Sequence, residues 1–140
     1  MEDKVKVLFL CTGNSCRSQM AEGILRHLDG ARFEVYSAGV EPDPLNQNAV
    51  EVMKEINIDI SKQRSKNIAI FSGKSFDYII TLCDHANEVC PIFPGNVQRI
   101  HWSIEDPAKF RGSIRNTLMV YRKTRDKIKR RLLEFVKSKR

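Results

Sequence analysis

Short apolar runs alternate with amphipathic stretches along the whole chain, beginning with Lys4 to Leu10. That first run is almost continuously apolar and β-branched or aromatic, so it reads as a strand buried on both faces. Ser18 to Leu28 then places Met20, Ala21, Ile24, Leu25 and Leu28 at helical spacing. Phe33 to Ala38 reads as a second strand, closed by Gly39 and the Pro-bearing segment Glu41 to Leu45, and a helix is expected from about Asn46 to Ile56. A short helix is expected between Ser65 and Ser72, a strong strand over Asp77 to Leu82 and a weaker one over Val97 to His101. Ile114, Leu118, Tyr121, Ile128, Leu132 and Phe135 make the apolar stripe of a terminal helix, interrupted by Arg125. Strands alternating with helices pair in parallel and need cover on both faces. The expected fold class is therefore α/β, three-layer α/β/α around a central, mainly four-stranded parallel sheet. Ligands of such sheets sit beyond the carboxyl ends of the strands, which directs attention to the loop after the first strand.

The 140 residues, 41% hydrophobic, suffice for one core, and a single domain over 1–140 is expected. The net charge of +7 is local: residues 122–140 hold ten Lys or Arg against Asp126 and Glu134, and the remainder is close to neutral. A docked helix with a basic solvated face accounts for that, and without a reading motif no nucleic-acid role is expected. The run Val5 to Leu10 is too short for a membrane span and follows acidic Glu2 and Asp3, so no membrane role and a cytoplasmic location are expected. Cys11, Cys16, Cys83 and Cys90 then read as free, catalytic or metal-bound thiols rather than a structural staple. Their C-x4-C and C-x6-C spacings fit zinc knuckles poorly, and no metal ligand is assigned. The sequence is silent on oligomeric state, and a monomer is the working expectation.

The loop itself is Cys11-Thr12-Gly13-Asn14-Ser15-Cys16-Arg17-Ser18. Its cysteine ends a strand and its arginine begins a helix. Consecutive backbone N–H groups and an open helix start make a concave donor site for a tetrahedral oxyanion, and Arg17 adds a bidentate clamp. Gly13 and Asn14 tolerate the positive φ such a loop needs. The same donors favour Cys11 as a thiolate nucleophile, with the Ser18 hydroxyl as one candidate donor. On the bare C-x5-R pattern alone, a strand-to-helix turn with a buried cysteine remains open.

The fuller string C-x-G-N-x-C-R-S resembles the phosphate-binding loop of the low-molecular-weight protein tyrosine phosphatases and of the thioredoxin-coupled arsenate reductases that share their fold. Ser37-Ala38-Gly39 matches both groups, and His101-Trp102 followed by Glu105-Asp106-Pro107 looks like the loop bearing their general acid. The resemblance implies a low-molecular-weight tyrosine phosphatase-like fold, Cys11 as nucleophile and Asp106 as acid. Thr81-Leu82-Cys83 with Cys90-Pro91 resembles the redox segment of the reductases, a pair that the phosphatases as a group lack. It implies arsenate reduction by a relay of Cys11, Cys83 and Cys90, with no bound cofactor and thioredoxin as external reductant. Phosphate and sulfate are expected as competing oxyanions, and Cys16 as a spectator. The alternative is a phosphatase working through a Cys11 phosphocysteine, although Ala108-Lys109 follows the Asp-Pro where phosphatases usually place aromatic residues.

Cys90 lies seven positions after Cys83. An intact helix would hold them roughly 10 Å apart at about 1.5 Å per residue, whereas a disulfide needs Cα atoms within about 7 Å. The segment is therefore expected to be a loop, or to unwind on oxidation. Some of the reductases bind a monovalent cation through residues matching Asn14, Glu22 and Ser37 and an acidic residue that here is Lys66. The Lys66 ammonium either replaces that cation beside Glu22 or points into solvent, and no dedicated potassium site is expected. His27 reads as a helix-surface residue, His85 as an exposed loop residue and His101 as support for the acid loop.

Overall fold

The structure is a computed structural model that describes residues 3–139; Met1, Glu2 and Arg140 of the expected 1–140 unit lie outside the described residues. Four strands, β1 (Val5–Cys11), β2 (Phe33–Gly39), β3 (Tyr78–Thr81) and β4 (Gln98–His101), form one sheet in the order β2-β1-β3-β4. Every pairing is parallel, as the alternation predicts. The helices are α1 (Arg17–Asp29), α2 (Gln47–Lys54), α3 (Asp84–Val89) and α4 (Ile114–Ser138). The expected helix between Ser65 and Ser72 is a four-residue 3-10 turn, Ile68–Phe71, and a second such turn covers Pro107–Lys109. Among the described residues no helix is long and apolar enough to cross a membrane.

Val7, Leu8, Phe9 and Leu10 are all fully buried. Successive strand residues face opposite sides, so both faces of β1 are covered, giving three α/β/α layers. Two aromatic groups mark those layers. Phe135 of α4 packs on Phe33, Tyr78 and Trp102, whereas Tyr36, on the opposite face of β2 from Phe33, packs edge-on against Phe71 and Phe76, with Phe93 beyond.

Local sequence sets the helix starts. Asn46 caps α2 by accepting the Ala49 N–H at 3.0 Å, and Ser113 caps α4 by accepting the Asn116 N–H at 3.1 Å. Within α4 the buried stripe runs from Tyr121 through Ile128, Leu132 and Phe135 to Val136. Two details differ from the expected stripe. Ile114, in the first turn, is 82% exposed because the helix starts beyond the edge of the core. Arg125 is not an interruption: it is buried and donates to Val52 O and Glu55 Oε1, each at 2.8 Å, tying α4 to α2.

Candidate active site

β1 delivers Cys11 to the sheet edge, and α1 begins six residues later at Arg17. The intervening loop is braced from outside. Asn14 takes φ 49°, the left-handed conformation Asn tolerates. Its buried carbonyl accepts from Ser65 Oγ at 2.7 Å and Gln19 Nε2 at 2.9 Å, and its Oδ1 accepts the Lys66 N–H at 2.9 Å. Gln63 Nε2 holds Gln19 Oε1 at 2.7 Å. Gly39 closes the other side: a Cβ there would stand 2.7 Å from Thr12 O and 2.8 Å from Asn14 N, so only glycine lets the end of β2 pass this close.

Two donors converge on the Cys11 sulfur. The Asn14 N–H donates at 3.2 Å, and Ser18 Oγ lies at 2.9 Å. Ser18 Oγ already accepts from Asn14 Nδ2 at 2.8 Å, which leaves its proton for the sulfur. Cys16 holds the N-cap position of α1 and makes no side-chain cap hydrogen bond, so the first N–H groups of the helix are left for an anion. Cys11, Thr12, Gly13, Ser15, Cys16 and Arg17 line a recess of about 140 Å³ together with Asp43, Asp106 and Ala108. Asn14 and Ser18 are fully buried behind it and shape the loop.

Arg17 joins this loop to the segment after β4. Its Nη1 donates to Ile104 O at 2.9 Å, and its Nη2 lies 3.7 Å from Asp106 Oδ2. Asp106 caps the 3-10 turn by accepting the Ala108 N–H at 3.0 Å, and Pro107, which has no N–H to satisfy, occupies the first turn position. The carboxylate is thereby brought to the rim of the recess.

Leu10 pairs with Thr81, so Cys11 and Cys83 leave adjacent parallel strands at the same edge. Cys83 Sγ lies 3.1 Å from Thr12 Oγ1. The same sulfur caps α3, accepting the Ala86 N–H at 3.4 Å. Cys90 follows α3, half-buried, and burial pushes its thiol pKa up, opposed by Arg99. Burial, reinforced by neighbouring Cys11, also raises Cys16 and keeps it a thiol. All four cysteines are free. Of the two alternatives for residues 84–89, the loop is not what forms: α3 is an intact short helix that separates Cys83 from Cys90. A bridge between them requires that helix to open.

Lys66 does not point into solvent but lies beside Glu22. Its Nζ lies 3.9 Å from Glu22 Oε1 and donates to Arg64 O at 2.6 Å. Burial lowers its pKa, and Glu22 opposes that. Glu22 also accepts from Ser37 Oγ and from Arg26 Nη2, the latter at 2.8 Å. His27 and His85 are exposed. His101 departs from its expected role: its ring touches Thr81 and Asp84, at the start of α3, and not the acid loop. Among the described residues no group of three or more His, Cys, Asp or Glu is placed to hold a metal.

Gln19, Gln63 and Ser65, which brace the loop, and Asp43, which lines the recess, were not legible as functional residues. Polar residues on a helix or in a loop carry no signal of where their amides and hydroxyls point.

A model of the low molecular weight phosphotyrosine protein phosphatase family matches residues 6–140. An arsenate reductase of Halalkalibacterium halodurans is 47% identical over 136 residues, 97% of this chain and 98% of its own. Among solved structures, an arsenate reductase in the phosphate binding state superposes with a TM-score of 0.78 at 34% identity, covering 96% of this chain and 98% of that one. A thioredoxin-dependent arsenate reductase of Corynebacterium glutamicum gives a TM-score of 0.73 at 28% identity, covering 98% of this chain and 62% of that one.

Proposed function

The chain belongs to the low molecular weight phosphotyrosine protein phosphatase family, and from that premise we propose that it is an arsenate reductase working through three thiols. The observation that supports this best is the second thiol at the anion loop: Cys83 Sγ 3.1 Å from Thr12 Oγ1, with Cys90 one short helix away. A phosphatase needs the loop, its arginine and an acid, and would leave both of these cysteines without a step.

Arsenate, like the phosphate or sulfate that compete with it, binds the loop N–H groups and the Arg17 guanidinium. The Cys11 thiolate attacks arsenic, and protonated Asp106 gives its proton to the departing oxygen, which leaves as water. Cys83 then attacks the Cys11 sulfur. The sulfur–arsenic bond breaks with its electron pair going to arsenic, so As(V) becomes As(III) and arsenite departs while a Cys11–Cys83 disulfide forms. Cys90 attacks Cys83, releasing the Cys11 thiolate and leaving a Cys83–Cys90 disulfide. An external thioredoxin reduces that bridge through dithiol exchange, and no bound cofactor takes part. We read the chain as one cytoplasmic domain acting as a monomer; the single apolar core supports the one-domain part of that reading.

The test is arsenate-dependent NADPH consumption with thioredoxin and thioredoxin reductase, comparing the native chain with Cys90→Ser. Turnover that disappears in the variant supports the relay. No turnover in either, with p-nitrophenyl phosphate still hydrolysed, would replace it with the phosphatase reading.

A further inference from the structure

Helix α3 has to open before Cys90 can reach Cys83, yet the end of the sheet holds it shut. Its first residue, Asp84, accepts at Oδ1 from His101 Nε2 at 2.9 Å and from Ser103 Oγ at 3.1 Å. The other ring nitrogen of His101, Nδ1, lies 2.8 Å from Thr81 Oγ1 on β3. Nε2–H donating to Asp84, with Nδ1 accepting the Thr81 hydroxyl, satisfies both contacts, a tautomer assigned from these partners. Further along α3, Arg99 Nη2 donates to Asn87 O at 3.1 Å. Thus His101 and Arg99, two residues apart on β4, grip the start and the middle of the segment that must move.

Building on the relay proposed above, we infer that Asp84 and His101 form a clasp that stabilises the closed dithiol form of the redox segment. His101 is then a positioning residue that sets how readily the Cys83–Cys90 disulfide forms. When Cys90 attacks Cys83 and expels the Cys11 thiolate, one S–S bond replaces another and α3 opens. The clasp is present on the dithiol side and lost on the disulfide side. Removing it destabilises the dithiol form and shifts the equilibrium toward the disulfide.

The test equilibrates the native chain and its variants with a dithiothreitol redox buffer and reads the Cys83–Cys90 disulfide by thiol alkylation and mass spectrometry. Asp84→Ala is expected to shift the equilibrium roughly three- to tenfold toward the disulfide, the scale of two exposed hydrogen bonds. At about 29.6 mV per tenfold, its potential falls by roughly 14 to 30 mV. Asp84→Asn keeps an Oδ1 acceptor and restores most of the native value. In a His101→Gln background, where the Ser103 bond remains, Asp84→Ala adds a clearly smaller shift than in the native chain. Ser103→Ala, the mildest change, moves the potential slightly in the same direction. A negative charge acting only at the helix start predicts the opposite pattern, an undiminished Asp84→Ala effect without His101 and no rescue by Asn, and that result overturns the clasp. So does a disulfide whose potential is native-like in every variant, which leaves the relay intact. Failure of the native chain to form any Cys83–Cys90 disulfide overturns the relay and the clasp together.

Discussion

Gly39→Ala is expected to damage the oxyanion loop from a position that touches no substrate. The new Cβ would stand 2.7 Å from Thr12 O, 2.8 Å from Asn14 N and 2.9 Å from Gly13 C. All three are backbone atoms, so no rotamer change relieves the contact, and the loop or the end of β2 must move by about half an ångström or more to reach ordinary separation. That movement strains hydrogen bonds binding the two segments, among them Glu41 N–H to Thr12 O at 2.8 Å and Asp43 N–H to Gly13 O at 2.9 Å. Overpacking of this kind costs about 1 to 3 kcal/mol. For a chain of this length, at roughly 3 °C per kcal/mol, that is a loss of about 3 to 9 °C in Tm. Catalysis is expected to suffer more, since displacing a preorganised site by about 1 Å costs on the order of 100-fold. Thermal melting and arsenate-dependent kcat/KM measure the two effects. A variant with native kcat/KM and native Tm would refute the close approach as a requirement of the site.

Ser18→Ala leaves buried Asn14 Nδ2 without its acceptor and removes one donor from the Cys11 sulfur. A stability loss of about 1 to 3 kcal/mol and slower alkylation of Cys11 at neutral pH are expected from urea unfolding and iodoacetamide kinetics. Hydrogen bonds from Arg122, then Arg125, hold the Glu55 carboxyl below the usual carboxylate range. That contribution is present above about pH 4.3, the unfolded value, and is lost as pH falls through the depressed folded value. Glu55→Gln should therefore lower stability at pH 7 and flatten its decline toward acid, as urea unfolding at pH 7 and below the unfolded carboxylate pKa will read. Lys66 supplies a positive charge 3.9 Å from Glu22 Oε1, so melting temperatures in potassium and sodium chloride of equal ionic strength are expected to agree. Stabilisation specific to potassium would contradict that role.

The sheet was legible because a strand buried on both faces has to be written in apolar residues, and β1 is. The anion loop was legible because its chemistry needs particular residue types at fixed spacing between a strand and a helix. Arg125 was misread because periodicity scores a charged residue as a break, whereas the guanidinium reaches the Val52 carbonyl and Glu55 on another helix. The state of residues 84–89 was left between loop and helix, since six residues decide little alone; Cys83 Sγ as cap and contacts from β4 tip the balance. His101 was given to the wrong neighbour because a histidine beside an acid loop in sequence has two ring nitrogens whose partners only the fold reveals.

The three-thiol relay is tested most directly by mapping the disulfides of the Cys90→Ser variant after one turnover with arsenate and no external reductant. The relay predicts one arsenite released per chain and a disulfide joining Cys11 to Cys83, with Cys16 still alkylatable after unfolding. Arsenite release accompanied by a Cys11–Cys16 bridge, or a chain that keeps all its thiols and releases no arsenite, would contradict it.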